Sequence, residues 1–278
     1  MNDFLEKTFN LSENNTDVRT EIIAGFTTFM TMAYIIVVNP LILKGAGMPF
    51  NGVFIATILG AILGTVVMAK LTNYPFALAS GMGLNAFFVA MVNQIDGLTW
   101  QIALGIVFIE GVLFMILSVL PVREMIVNAI PMSLKSGISA GIGLFIAYIG
   151  LGPSNAGIIV SDGRGGITLT ENIFNDSALI ALIGLGIIGV LFARKVKGSI
   201  FIGIILTSIV AWIFNGLGWV TIENLQFGIF EWPKFSDFIS VAFQLDIVGA
   251  IKGVFDLTLI GALFAFLFVD MFDTAGTL

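Results

Sequence analysis

Blocks of about 20 apolar residues recur along this chain, and a block of that length crosses the hydrocarbon core of a bilayer as one helix. They run at roughly Ile22–Leu43, Val53–Leu71, Pro75–Val92, Trp100–Leu120, Met132–Leu151, Ala178–Ala193 and Ile200–Phe214, and an eighth begins near Leu257 and reaches Leu278. Backbone N–H and C=O groups find no water in hydrocarbon, so lipid-facing segments of this kind fold as helices. A soluble alternative fails on composition. Of the 278 residues, 58% are hydrophobic and 11% charged, whereas soluble domains run at about 45–50% and about 25%. The expectation is an all-α membrane protein of many spans, with the lipid bilayer as its first partner.

Absent residue types narrow the chemistry. The chain has neither cysteine nor histidine, which removes disulfides, thiolate nucleophiles and the commonest metal ligands and proton shuttles. Proton exchange then falls to Asp, Glu, Lys or Tyr, and no metal, cofactor or nucleic-acid partner is expected. The first residues, MNDFLEKTFNLSENNTDVRTE, are polar, so no cleavable signal is expected.

Lysine and arginine set the orientation. With the N-terminus inside, Lys7, Arg19, Lys70, Arg123, Lys135, Arg194, Lys195 and Lys197 fall on the inner side. Lys44, Arg164, Lys234 and Lys252 fall outside, as do two longer loops, Gly152–Ser177 and Asn215–Gln244, which are rich in Gly, Asn and acidic residues. Positive charge accumulates on the cytoplasmic side of membrane proteins, so the N-terminus and the ARKVKG turn are expected in the cytoplasm.

The third apolar block departs from the others. YPFALASGMGLNAFFVAMV carries Pro75, Gly81 and Gly83 in a short run, and both residue types weaken a continuous helix. The reading is a broken span, extended to Ser80 and helical from near Gly83. Its first N–H groups would then point at a ligand near the midplane. Close packing of helices through small residues is the competing explanation.

Three carboxylates lie inside apolar blocks: Glu110, Asp270 and Asp273. A carboxylate at that depth is costly unless it serves a cavity or a partner. Asp270 and Asp273 are three apart, on one helical face, where like charges suit proton binding and release near neutral pH; a helix-end pair facing water is the alternative. Glu110 reads as part of a polar seam, with the Lys135 region as a candidate contact. Gly184-Leu-Gly186-Ile-Ile-Gly189 matches a dinucleotide-binding pattern, but no strand precedes it and no acidic residue follows at the required distance. Gly60-Ala-Ile-Leu-Gly64 reads as an interface between closely approaching helices.

Three strings resemble a known family. GFTTFMTMAYIIVVNP at 25–40, ALASGMGLNAFF at 77–88 and FVDMFDTAGTL at 268–278 are similar to the azaguanine-permease-like purine permeases, guanine and hypoxanthine carriers of the nucleobase–ascorbate transporter superfamily. The resemblance implies fourteen spans in two inverted repeats of seven, divided between a core and a gate domain. Residues 1–21 would be a cytoplasmic tail, 22–121 core spans one to four, 122–216 gate spans five to seven, 217–256 an outer loop and amphipathic segment, and 257–278 the start of core span eight. The sequence ends within that eighth span, so it is expected to be a fragment, truncated there, holding the first half of the carrier. The resemblance further implies proton-coupled uptake of purine nucleobases across the cytoplasmic membrane, with hypoxanthine and guanine ahead of adenine. It places Gly83, Asn85 and Asp270 at the substrate, with Asp270 and Asp273 serving proton coupling or conformational change.

An amide such as that of Asn85 and a carboxylate such as that of Asp270 suit a purine edge, which offers both N–H donors and ring-nitrogen or carbonyl acceptors. Same-fold carriage of uracil, xanthine or an anion is the nearest alternative, and a non-transporting accessory fragment, or one half of a homodimer, a more distant one. An intramembrane aspartyl protease needs carboxylates on separate helices and a GxGD string, which this sequence lacks; no enzymatic activity is expected.

Overall fold

The structure is a computed structural model that describes residues 2–74, 76–119, 131–152, 156–163, 166–171, 176–221, 233–253 and 257–277. Within these, the side chains of 2–4, 7, 132, 135, 138–139, 142, 253, 257–258 and 273–277 are not described. Pro75, Arg123, Arg164 and the side chains of Lys7, Lys135 and Asp273 therefore lie outside the described residues.

Helices dominate: α1 (Asn2–Phe9), α2 (Val18–Met32), α3 (Ile35–Lys44), α4 (Phe50–Thr72), α5 (Met82–Gln94), α6 (Trp100–Val119), α7 (Met132–Leu151), α8 (Asp176–Ala193), α9 (Ser199–Gly216), α10 (Ile247–Gly253) and α11 (Leu257–Thr277). Five stretches among the described residues are long and apolar enough to cross a membrane: Val18–Lys44, Phe50–Thr72, Trp100–Val119, Asp176–Ala193 and Ser199–Gly216.

Two differences from the sequence reading stand out. The first span is not one helix, because a turn at Ala33 and Tyr34 separates α2 from α3. Pro40 lies inside α3 and cannot donate to the Ile36 carbonyl, which weakens the helix just beyond that turn. The second difference is a small antiparallel hairpin in the first long loop, pairing β1 (Ile159–Ser161) with β2 (Ile167–Leu169). Its turn is closed by the Asp162 carboxylate, which accepts the Gly166 N–H at 2.7 Å.

The chain forms two compact units. The first comprises residues 1–36, 59–79 and 148–232. Asp17 caps α2 by accepting the Thr20 N–H at 2.9 Å, and hydrogen bonding to Thr20 holds its carboxyl below the usual carboxylate range. In this unit α8 and α9 pack closely: Gly184 leaves only enough room for Thr207, and Gly203 lies directly under Ile188. The dinucleotide-like glycine pattern is thus helix packing. Gly198, with φ +71°, makes the turn into α9 against Met30 of α2. Gly60 meets no side chain among the described residues, whereas Gly64 faces Leu78 of an extended segment. The small-residue motif therefore admits a strand-like stretch, and the helix–helix interface expected there is corrected.

The second unit comprises residues 37–58, 80–147 and 233–278. Its core joins α5, α6, α10 and α11 through Phe88, Met91, Ala103, Ile106, Ala250, Leu263 and Phe266. Phe87 and Phe266 meet edge to face at 4.9 Å. The backbone of α6 comes so close to α10 that a methyl on Gly105 would lie 2.5 Å from the Asp246 carbonyl oxygen. Overpacking against backbone costs about 1–3 kcal/mol. Gly105→Ala is therefore expected to lower the unfolding midpoint of the detergent-purified protein, and Gly60→Ala, in open space, to leave it unchanged. Equal midpoints for the two variants would refute this packing.

Candidate functional site

The site begins where the third span is interrupted. Residues 76–80 carry no helical hydrogen bonding, and α5 starts at Met82 behind Gly81, which is extended at φ −72° and ψ 117°. In the first unit, the Thr65 hydroxyl of α4 accepts the Leu78 N–H at 3.0 Å, a bond the extended backbone cannot obtain from its own helix. In the second unit, the first turn of α5 closes with the Asn85 N–H on the Gly81 carbonyl at 3.1 Å. The amides of Met82, Gly83 and Leu84 then have no acceptor within the helix, and Gly81 offers no side-chain cap. Such a helix start attracts electron-rich groups.

Polar side chains gather beside it. The Asn85 amide donates to the Asn39 side-chain carbonyl of α3. Asn39 in turn donates to the Thr57 hydroxyl of α4 at 2.8 Å, and Thr57 to the Val53 carbonyl at 2.7 Å. Asn39 and Thr57 are buried, so α3, α4 and α5 are tied by a polar chain inside an apolar environment. The Ser80 hydroxyl, just ahead of α5, is buried and has no hydrogen-bond partner among the described residues. Gly83 leaves the helix start bare, and a methyl there would sit 3.9 Å from the Phe145 ring of α7.

The acidic residues form a second group. Asp270 lies on α11, which packs on both α5 and α6, and it interacts through its charge with Glu110 of α6. Glu110 is buried. Its electrostatic neighbour is thus Asp270, while the side chain of Lys135, the contact expected from sequence, is outside the described residues. Asp273 follows Asp270 by one turn on α11. Asn39, Thr57, Ser80 and Phe145 were missed in the sequence. Only Asn39 left a trace there, as a lone amide in an otherwise apolar run.

Apolar spans combined with an interrupted helix and buried polar groups are the build of a membrane carrier. Residues 19–278 match the permease family, and the chain belongs to that family. It is 47% identical over 99% of its length to a permease of Methanocaldococcus jannaschii. It is 42% identical over 97% to the guanine/hypoxanthine permease PbuO of Bacillus subtilis, and 39% identical over 99% to the adenine permease AdeP of Escherichia coli. The chain spans 58–60% of the length of these curated relatives.

Hydrogen bonds between helices in apolar surroundings are worth about 0.6–1.7 kcal/mol. A double-mutant cycle of Asn39→Ala and Asn85→Ala, read as unfolding free energy in detergent, is expected to return a coupling in that range. Additive effects of the two substitutions would show that the amides do not work as a pair.

Proposed function

We propose that the protein carries purine nucleobases across the cytoplasmic membrane together with protons, hypoxanthine and guanine foremost and adenine also accepted. The observation that carries this reading is the bare start of α5, with the Ser80 hydroxyl and the Asn85 amide beside it. A flat heterocycle whose edge alternates donors and acceptors suits that set, and so does a carbonyl oxygen against the first-turn amides. The names of PbuO and AdeP, guanine/hypoxanthine and adenine permeases, support these three purines over uracil, xanthine or an anion.

In this reading Gly83 lets the base approach the backbone, Asn85 bonds one edge of it and Asp270 accepts its N–H groups. Asp273 serves the conformational step that follows. The α2–α6 and α11 spans belong to a core domain, α7–α9 to a gate domain, within a 7+7 inverted repeat. The N-terminus and the Arg194–Lys197 turn lie in the cytoplasm.

Asp270→Asn replaces an acceptor-only group by a mixed donor and acceptor. Hydrogen bonds to charged groups contribute about 1.5–3 kcal/mol, so equilibrium purine binding by the full-length gene product should weaken about ten- to a hundredfold. Asp273→Asn should leave binding measurable and slow radiolabelled uptake. Parent-like binding by Asp270→Asn, or binding abolished by Asp273→Asn alone, would reverse these roles. Accumulation of uracil in place of all three purines would move the substrate class itself.

For the topology, cysteines placed at the exposed Ser12 and Lys197 positions should resist a membrane-impermeant maleimide in intact cells and react after lysis. Strong labelling in intact cells would invert the orientation.

A further inference from the structure

Glu110 takes no part in the recognition described above, yet its position is specific. Its side chain is 6% exposed, and its Oε1 has no hydrogen-bond partner among the described residues. It lies one turn beyond Ile106, which is 1% exposed, on α6, a helix that packs against α11. Ile109 and Leu113, on either side of it in sequence, pack against the core that holds Leu263 and Phe266. There it interacts with the charge of Asp270.

A buried carboxylate that lacks a bonding partner is costly in the ionised form, and the charge of a second carboxylate on the neighbouring helix adds to that cost. A proton on Glu110 removes both costs at once. The two residues are not equivalent in what they give up. Glu110 Oε1 accepts no bond from the described residues, so protonation there breaks none. Asp270, in the purine reading, has to remain an anion to accept the N–H groups of the base.

We propose that Glu110 is the residue that takes up the coupled proton, and that by doing so it leaves Asp270 as the anion that binds the base. The proton comes from the outer aqueous phase and forms an O–H bond on the Glu110 carboxylate. The neutral base then binds at Asp270. After the carrier turns inward, base and proton both leave to the inner phase, and Glu110 returns to its starting state. Proton and base each favour the binding of the other, and linkage makes that preference reciprocal.

Other charged groups on the elements packed against α6 are few. α5 has no ionisable residue. Beside α10, Asp246 already accepts the Gly249 N–H at 2.7 Å, and Lys252 is exposed. On α11 stand Asp270 and Asp273, the latter with its side chain outside the described residues. Asp270 is thus the charge that protonation of Glu110 governs.

This inference rests on the purine reading, and the test separates the two. In the full-length gene product, hypoxanthine affinity of the parent should fall as pH rises from about 5 to 9, because the proton on Glu110 is lost. Glu110→Gln should bind hypoxanthine with a flat pH profile at the parent's low-pH affinity, and should lose at least about tenfold of the accumulation driven by a proton gradient. An unchanged pH profile with parent-like accumulation would overturn the proposal. Should the variant not fold, the parent answers alone: dicyclohexylcarbodiimide, which attacks protonated membrane-buried carboxyl groups, should modify Glu110 faster at low pH, as mapped by peptide mass spectrometry. Absence of modification at Glu110 would overturn the proposal equally. If the parent carries no purine at all, the substrate reading fails, and carbodiimide modification still decides whether Glu110 exchanges a proton.

Discussion

Everything distinctive in this protein follows from a backbone that stops being helical inside an apolar segment. Hydrocarbon offers no hydrogen bonds, so each N–H and C=O released by the break needs another partner. The chain meets part of that need with side chains: the Thr65 hydroxyl takes the Leu78 amide on the extended side. On the helical side the Asn85–Asn39–Thr57 chain fixes the first turn of α5. The first-turn amides of α5 remain outside any intrahelical bond, and that residual demand is what a ligand can meet. Glycine at positions 81 and 83 keeps the approach clear of side chains.

The acidic residues obey the same economy of polar groups in an apolar setting. Glu110 and Asp270 come from helices whose close contact is made by apolar side chains, Ile106, Leu263 and Phe266 among them. A dry surrounding magnifies the interaction between two carboxyl groups that water would largely screen. It also makes the pair sensitive to anything that adds or removes one charge, whether a proton or a hydrogen-bonding base.

Much of this was legible in the sequence, for reasons that are local. Apolar length alone marked most of the spans, and Gly81 and Gly83 marked the broken one, because glycine acts on the backbone at its own position. What escaped depends on tertiary contact. Nothing near Asn39 in sequence announces Asn85, 46 positions away, and nothing around Glu110 announces Asp270. The Gly60–Gly64 motif was misread because a small residue permits close approach without specifying what approaches; here it is Leu78. The β-hairpin escaped because its strands, three residues each, are too short to show an alternating pattern amid glycines.

Proton-linked purine transport can be observed directly with the full-length gene product reconstituted in liposomes that enclose a pH-sensitive dye, with no pH gradient imposed. Hypoxanthine added outside should acidify the lumen at a rate that saturates with its concentration, while uracil should not. Radiolabelled hypoxanthine entering with no change in lumenal pH, or not entering at all, would contradict the proposed function.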